Sequence, residues 1–202
     1  SGLYSVNARK GGNVSPIPAD HSQNLTGIWP KKVVNYKTVM SDAASGFTSV
    51  TYPFPVIRMA DLYLMYAEAL NEKGEDYATV LPWIDMVRER SGLQGVKESW
   101  DQYVGNSKYA TQTGLRQIIM QERRIELAFE GHYFWDVRRW KTATTELTQP
   151  LTGWKVRYGE TDVDYYSENL VLVRDFTPKM YFWPIDIGEL RKDPNLVQNY
   201  GW

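Results

Sequence analysis

The chain has 202 residues, 43% of them hydrophobic and 14% aromatic, which is enough to bury a sizeable core as one domain or two small ones. Its 23 basic and 24 acidic residues leave a net charge of -1, which argues against a general nucleic-acid-binding protein, because such proteins carry a basic face. Cysteine is absent, which excludes disulfides and thiolate chemistry. Only His21 and His132 could supply imidazole ligands, and neither lies in a HExxH-type helix, so no metal or other cofactor is expected.

Residues 1–53 are rich in Gly, Ser, Asn, Pro and Thr and form the first of two predicted segments. We expect loops here with one or two short strands, as part of a possible ligand-binding subdomain. Residues 31–39 carry β-branched side chains in partial alternation, which predicts a strand. Charged residues interrupt every apolar run well before the roughly 18 residues that would cross a bilayer.

The second predicted segment, residues 54–202, begins with two helices. The first is expected over about 57–73, ends near Gly74 and is apolar almost all round, which indicates packing on several sides. The second is expected over about 77–89. Together they have the length of one tetratricopeptide-type unit. Residues 92–113 are polar and are interpreted as a connecting segment between two helical repeats.

A second helical pair is expected over about 114–130 and 133–143, with Gly131 as the stop between them. The fold class is therefore mainly α, with tetratricopeptide-like hairpins in a short α-solenoid, irregular loops and a few short strands. Alternation predicts strands around 154–158 and 170–172, joined by an acidic loop at 160–164. That loop lacks the register of an EF-hand, so a solvated turn is preferred over calcium binding. The chain terminus is expected to be docked by Trp202.

Carboxylates lie inside the apolar stripe of the third predicted helix. Leu115, Ile118, Ile119, Ile125 and Phe129 recur at helical spacing, and Glu122 and Glu126 fall among them. A buried carboxylate needs a cation, and the available guanidinium groups belong to Arg58, Arg123, Arg124, Arg138 and Arg139. Asp61 and Glu68 in the first helix repeat the pattern. Paired acids could also serve catalysis, but a structural network is the preferred interpretation.

Five motifs, in this order and spacing, carry a resemblance to a known family. They are 54–69 (FPVIRMADLYLMYAEA), 87–93 (VRERSGL), 122–132 (ERRIELAFEGH), 136–140 (DVRRW), and 183–185 (WPI) with 198–202 (QNYGW). The chain resembles the C-terminal part of SusD/RagB proteins. The closing motif usually has Pro where Tyr200 stands. Because that family is usually more than twice this long and starts with a lipidated Cys, the sequence is expected to be a C-terminal fragment.

The resemblance implies a surface-exposed lipoprotein of a Gram-negative outer membrane that captures a glycan. Its expected partners are an oligosaccharide or polysaccharide and a SusC-like TonB-dependent transporter, with no nucleic acid and with membrane attachment only through a lipid anchor outside this sequence. The helical hairpins would face the transporter and the irregular loops would hold the sugar. No catalysis is implied.

Sugars stack on flat aromatic faces and hydrogen-bond to Asn, Asp, Arg and Lys, so a site should be a polar loop with exposed Trp or Tyr. Residues 1–36 fit this best, and Tyr36 and Trp154 are weaker candidates. The predicted ligand-binding residues are Tyr4, Asn7, Arg9, Asn13, Asp20, His21 and Trp29. Trp135, Trp140, Trp183 and Trp202 are assigned to packing. Two alternatives remain open: a helical-repeat adaptor that binds peptide or protein, and a glycoside hydrolase.

Overall fold

The structure is a computed structural model that describes residues 26–28, 30, 32, 34–40, 47–51, 53–156 and 159–202. The chain divides into two compact units, one formed by residues 51–135 and one that combines residues 1–50 with 136–202. Helices dominate the described part, which confirms the predicted mainly α class. The predicted division near residue 53 stays a prediction.

The unit of residues 51–135 begins with a helical hairpin. Helix α1 spans Met59–Lys73 and α2 spans Tyr77–Arg90, so both predicted helices are confirmed. Gly74 ends α1 with a φ of 88°, a left-handed conformation that glycine adopts without steric cost. Asp76 caps α2, because its carboxylate accepts a hydrogen bond from the Ala78 amide at 2.8 Å.

The polar stretch after α2 contains more helix than predicted. It forms α3 (Val96–Ser99), a π-helical turn (Trp100–Val104) and a 3₁₀ turn (Lys108–Ala110). Its aromatic side chains explain this order: Tyr109 is buried, Trp100 packs against the same core, and the Tyr109 hydroxyl donates to Asp101 at 2.8 Å. Tertiary packing thus stabilises turns that periodicity alone did not reveal.

Helix α4, Gln112–Glu126, packs on α1 together with α2 and completes the core. The fully buried members of that core are Leu64, Ala67, Val80, Ile84, Val96 and Ile119. Each large aliphatic side chain buried in this way contributes about 1.5–3 kcal/mol.

The prediction for the C-terminal end of the apolar stripe on α4 was wrong. The helix ends at Glu126 with Leu127 as its cap, so Gly131, with a φ of 82°, lies in the following turn and is not the stop. Ile125 and Phe129 were expected in the core, yet they are 61% and 63% exposed. Phe129 lies beyond the helix with a φ of 65°, so helical periodicity no longer applies to its side chain.

Helix α5 spans His132–Arg139 and α6 spans Ala143–Glu146. They are followed by strand β3 (Leu151–Trp154), α7 (Asp162–Tyr165), strand β4 (Glu168–Leu172), a 3₁₀ turn (Pro178–Tyr181) and α8 (Ile187–Lys192). Strands β3 and β4 pair antiparallel, and this confirms strands in both predicted regions. The predicted acidic loop forms the helical turn α7, which the Thr161 hydroxyl caps by accepting from the Asp164 amide.

The strand predicted over 31–39 is wrong for most of its described residues. The side chain of Asn35 accepts from the Lys37 amide at 2.9 Å and its carbonyl accepts from the Thr38 amide at 2.9 Å. Asparagine favours such local turns over an extended chain, and this overrides the β-branched composition. Among the described residues of this segment, the extended part is strand β1 (Val39–Met40), which pairs antiparallel with strand β2 (Phe47–Thr48).

The C-terminal residues are docked as predicted. The indole of Trp202 donates from Nε1 to the carbonyls of Lys179 and Phe182, both at 3.1 Å, and the Lys179 ammonium lies 4.4 Å from the ring centroid. Trp183 and Trp135 were assigned to packing, but they are 64% and 57% exposed. Large aromatic side chains are rarely buried completely, so their type alone does not decide their exposure.

Candidate functional site

The seven predicted ligand-binding residues lie outside the part of the chain that the structure describes. They are Tyr4, Asn7, Arg9, Asn13, Asp20, His21 and Trp29. Of the two weaker candidates, Tyr36 is 90% exposed and has the Lys37 ammonium 5.7 Å from its ring centroid. The other, Trp154, lies on the β3 and β4 pair described below.

The carboxylates of α4 are paired with guanidinium groups, as the sequence predicted. Arg58 donates to Glu126 and, from Nε and Nη2 at 2.8 Å, to both oxygens of Glu130. Its Nη2 also donates to the Glu126 carbonyl at 2.6 Å, and Arg90 donates to the Glu126 carboxylate at 2.7 Å. These two carboxylates are only 13% and 11% exposed, so their pairing is largely shielded from solvent.

Further ion pairs connect the other helices of the same unit. Arg88 donates to Glu122, and the buried Arg123 donates to Asp61 at 2.9 Å. Burial raises the pKa of Glu122, and the neighbouring Arg88 cation opposes that shift. Arg123 was expected to neutralise an acid of α4, but Asp61 of α1 is its partner, and Arg88 was not anticipated as a partner at all. A carboxylate fixed in this way stabilises the packing of the helices and is poorly placed to protonate a substrate.

Asp85 of α2 provides a half-buried acceptor that joins α2 to α3. Its carboxylate accepts a hydrogen bond from the amide of Val96, the first residue of α3, at 2.7 Å. Burial raises the pKa of Asp85, and the hydrogen bond from Val96 opposes this. Because the folded pKa lies above the unfolded one, the native state takes up a proton as the pH falls through the folded pKa, and this group then adds stability.

We therefore expect Asp85→Asn to raise the free energy of unfolding at pH 7 by on the order of 0.5–1 kcal/mol, because the amide keeps an acceptor without the half-buried charge. The advantage should shrink as the pH falls, since the wild-type carboxyl becomes protonated. Urea unfolding from pH 4 to 8 measures this. Asp101→Asn is the control with the opposite trend, because hydrogen bonds from Lys97 and Tyr109 lower the pKa of Asp101. If the stability advantage of Asp85→Asn over the wild type grew as the pH fell, the raised pKa of Asp85 would be contradicted.

An exposed aromatic surface lies on the β3 and β4 pair. In its register Trp154 stands opposite Glu168 and Thr152 opposite Leu170, so these four side chains share one face. All four are exposed, and we call them the strand-pair face. Tyr166 contacts the indole of Trp154 edge-on, with the ring centroids 5.6 Å apart.

Residues 26–28, at the end of the predicted ligand-binding loops, lie along the other edge of β3. The Trp154 amide donates to the Thr26 carbonyl at 3.1 Å. Gly27 has a φ of 75°, and a Cβ there would lie 3.1 Å from Cδ1 of Trp154 and 2.8 Å from the Tyr165 hydroxyl. The lack of a side chain at Gly27 therefore lets the chain approach the indole. Sequence reasoning missed both neighbours of Trp154 in this surface, because strand register places Glu168 there and tertiary packing places Tyr166 there.

Among the described residues, no group of three His, Asp or Glu side chains is arranged to hold a metal ion. No helix among the same residues has both the length and the hydropathy of a membrane span.

Comparisons with known proteins agree with one another. The chain is 37% identical over 140 residues to SusD-like protein P2 and 39% identical over 144 residues to SusD-like protein P25, both from Formosa agariphila. These alignments cover 69% and 71% of this chain but 27% and 23% of the relatives, so the chain spans about a quarter of their length.

A crystal structure of a SusD-like carbohydrate binding protein from Bacteroides fragilis superposes with a TM-score of 0.54 at 30% identity, covering 75% of this chain and 29% of that one. The sequence profile of the SusD family matches residues 8–202. Since this match includes nearly the whole sequence, and the helical hairpins and their ion pairs follow the motifs noted above, the chain belongs to the SusD family.

Proposed function

We propose that this chain is part of a non-catalytic glycan-binding protein of the cell surface, a lipoprotein that delivers its ligand to a SusC-like TonB-dependent transporter of the outer membrane. The observation that carries the proposal is membership of a family in which a similar structure is described as a carbohydrate binding protein. Charge pairing in the helical unit supports it, because the shielded carboxylates of Glu122, Glu126 and Glu130 are bound to guanidinium groups there.

Binding without turnover is the test of this proposal. The protein should be retained by an immobilised oligosaccharide from a panel of uncharged, uronate-containing and sulfated chains, and the released solution should contain no new reducing ends. Growth of new reducing ends with time would contradict the non-catalytic role. Retention by no member of the panel would contradict glycan binding itself.

The predicted loop residues provide the matched variants. Trp29→Ala is expected to lower affinity for the retained glycan by at least about tenfold. This corresponds to the loss of about 1.4 kcal/mol of binding free energy from one stacked ring. Tyr103→Ala is the control, because Tyr103 is 72% exposed and belongs to no proposed site. Unchanged affinity in Trp29→Ala, with the glycan still bound by the wild type, would remove that residue from the site.

Delivery to a transporter is tested separately in the host cell. Deleting the gene should slow growth on the bound glycan and leave growth on its constituent monosaccharide unchanged. If the deletion strain grew on the glycan as fast as the wild type, the role in uptake would be contradicted and glycan binding would still stand.

A helical-repeat adaptor is the second candidate, and one observation favours it. Met59, Leu62 and Tyr66 of α1 are 56%, 42% and 48% exposed, and their spacing of three and four residues forms an apolar stripe opposite the buried face. Such a stripe is suited to contact with another helix. Substituting Leu62→Gln should leave glycan retention unchanged if the first proposal is right, and should abolish partner binding if the protein is an adaptor.

A further inference from the structure

We infer that the strand-pair face, Thr152, Trp154, Glu168 and Leu170, is a sugar-contact site for an uncharged glycan, in addition to the seven ligand-binding residues predicted from the sequence. The inference rests on the proposed function, because it assumes that the ligand is a carbohydrate. Three properties of the face carry it: a fixed aromatic ring, hydrogen-bonding groups beside that ring, and the negative charge of Glu168.

The indole of Trp154 is held in one orientation while part of it remains accessible. Its backbone is paired with β4 on one edge and with Thr26 on the other, at 3.1 Å. Tyr166 packs edge-on against the ring, and the buried Tyr165 supports Tyr166 with ring centroids 5.0 Å apart. The side chain of Trp154 is still 37% exposed. A ring fixed before the ligand arrives loses little conformational entropy on binding, which favours stacking against the C–H face of a sugar.

Hydrogen-bonding groups lie beside Trp154 on the same face. Glu168 stands directly across from Trp154, and Thr152 lies two residues along the same strand and on the same face. Both side chains are exposed. A carboxylate accepts hydrogen bonds from sugar hydroxyl groups, and a threonine hydroxyl can both donate and accept. This mixture of one flat ring and convergent polar groups suits a carbohydrate better than a purely apolar partner.

The charge of the face selects among glycans. Glu168 is the charged member of the strand-pair face; it is exposed and stands directly across from Trp154. A uronate or sulfate group approaching Glu168 would be repelled. An uncharged chain meets no such repulsion.

The experiment compares affinities of the intact chain and its variants by isothermal titration with the uncharged glycan retained in the panel above. Trp154→Ala should weaken binding by at least about tenfold, whereas Trp154→Phe, which keeps a ring, should recover most of the loss. Addition of the glycan should also change tryptophan fluorescence, and Trp154→Phe should reduce that change. Glu168→Lys should narrow the preference for uncharged over sulfated chains by about tenfold, while Glu168→Gln should change it less.

The outcomes separate this inference from the proposed function. If Trp154→Ala and Trp154→Phe both bind like the wild type while Trp29→Ala loses binding, the strand-pair face is not a site and the proposed function stands. If the wild type prefers uronate or sulfated chains and Glu168→Lys has no effect, the inferred ligand class is wrong. If no glycan binds at all, the proposed function fails and this inference falls with it. Tyr103→Ala again serves as the exposed aromatic control.

Discussion

Replacing Arg123 by Met is expected to lower the free energy of unfolding by about 3–5 kcal/mol. Arg123 is 3% exposed and its Nη1 donates to Oδ1 of Asp61, which is 8% exposed, at 2.9 Å. Methionine fills a similar volume but cannot neutralise the carboxylate, so Asp61 would stay buried without this guanidinium. Urea unfolding followed by circular dichroism measures the loss, and hydrogen exchange in α1 and α4 should rise together because the pair joins those two helices.

The chain contains a matched control for this prediction. Arg116 also reaches from α4 to an acid of α1, donating from Nε and Nη2 to the two oxygens of Glu72 at 2.5 and 2.6 Å. Its side chain is 37% exposed and that of Glu72 is 43% exposed, so solvent already screens both charges. We expect Arg116→Met to cost less than about 1 kcal/mol. Equal losses in the two variants would show that burial does not set the strength of these pairs.

The second large effect is expected at Arg58, where Met should cost about 3 kcal/mol or more. Arg58 donates to the carboxylates of Glu126 and Glu130 and to the Glu126 carbonyl, while its own side chain is 19% exposed. Its hydrogen bond with Glu130 raises the pKa of Arg58, and burial opposes that shift. Removing the guanidinium would leave two shielded acids close to each other with less positive charge between them.

Arg90 is the control for Arg58, because it donates to the same Glu126 oxygen at 2.7 Å but is 60% exposed. Arg90→Met should cost less than about 1 kcal/mol. Both variants can be compared by thermal melting and by hydrogen exchange of the first turn of α1, which follows Arg58 directly. A melting temperature of Arg58→Met that matches the wild type would contradict the view that these acids and arginines form the frame of the unit.

These ion pairs are expected to determine stability, and the strand-pair face is expected to determine ligand binding. Loss of Arg123 or Arg58 should change stability, whereas Glu168→Lys should change ligand preference with little effect on melting. The strand-pair face contributes exposed side chains, and exposed substitutions usually change stability by less than about 0.5 kcal/mol. If one of these substitutions lowered both stability and ligand affinity, recognition would depend on the same residues as folding.

Local patterns in the sequence were sufficient wherever the signal was carried by neighbouring residues. Helices α1 and α2 were predicted close to their observed bounds, and the end of α1 follows from Gly74. The need for cations near Glu122 and Glu126 followed from the cost of burying charge. The mainly α class and the family resemblance also came from the sequence, because helical spacing and collinear motifs are properties of the chain itself.

Only the tertiary structure decided which residues meet. It paired Arg88 with Glu122 and Arg123 with Asp61, and the second pair is 62 residues apart. It exposed Ile125 and Phe129 despite their apolar spacing, and it placed Glu168 opposite Trp154. The physical reason is common to all of these results: periodicity fixes the direction of a side chain only within its own helix or strand, whereas charge pairing and strand register depend on how distant segments pack.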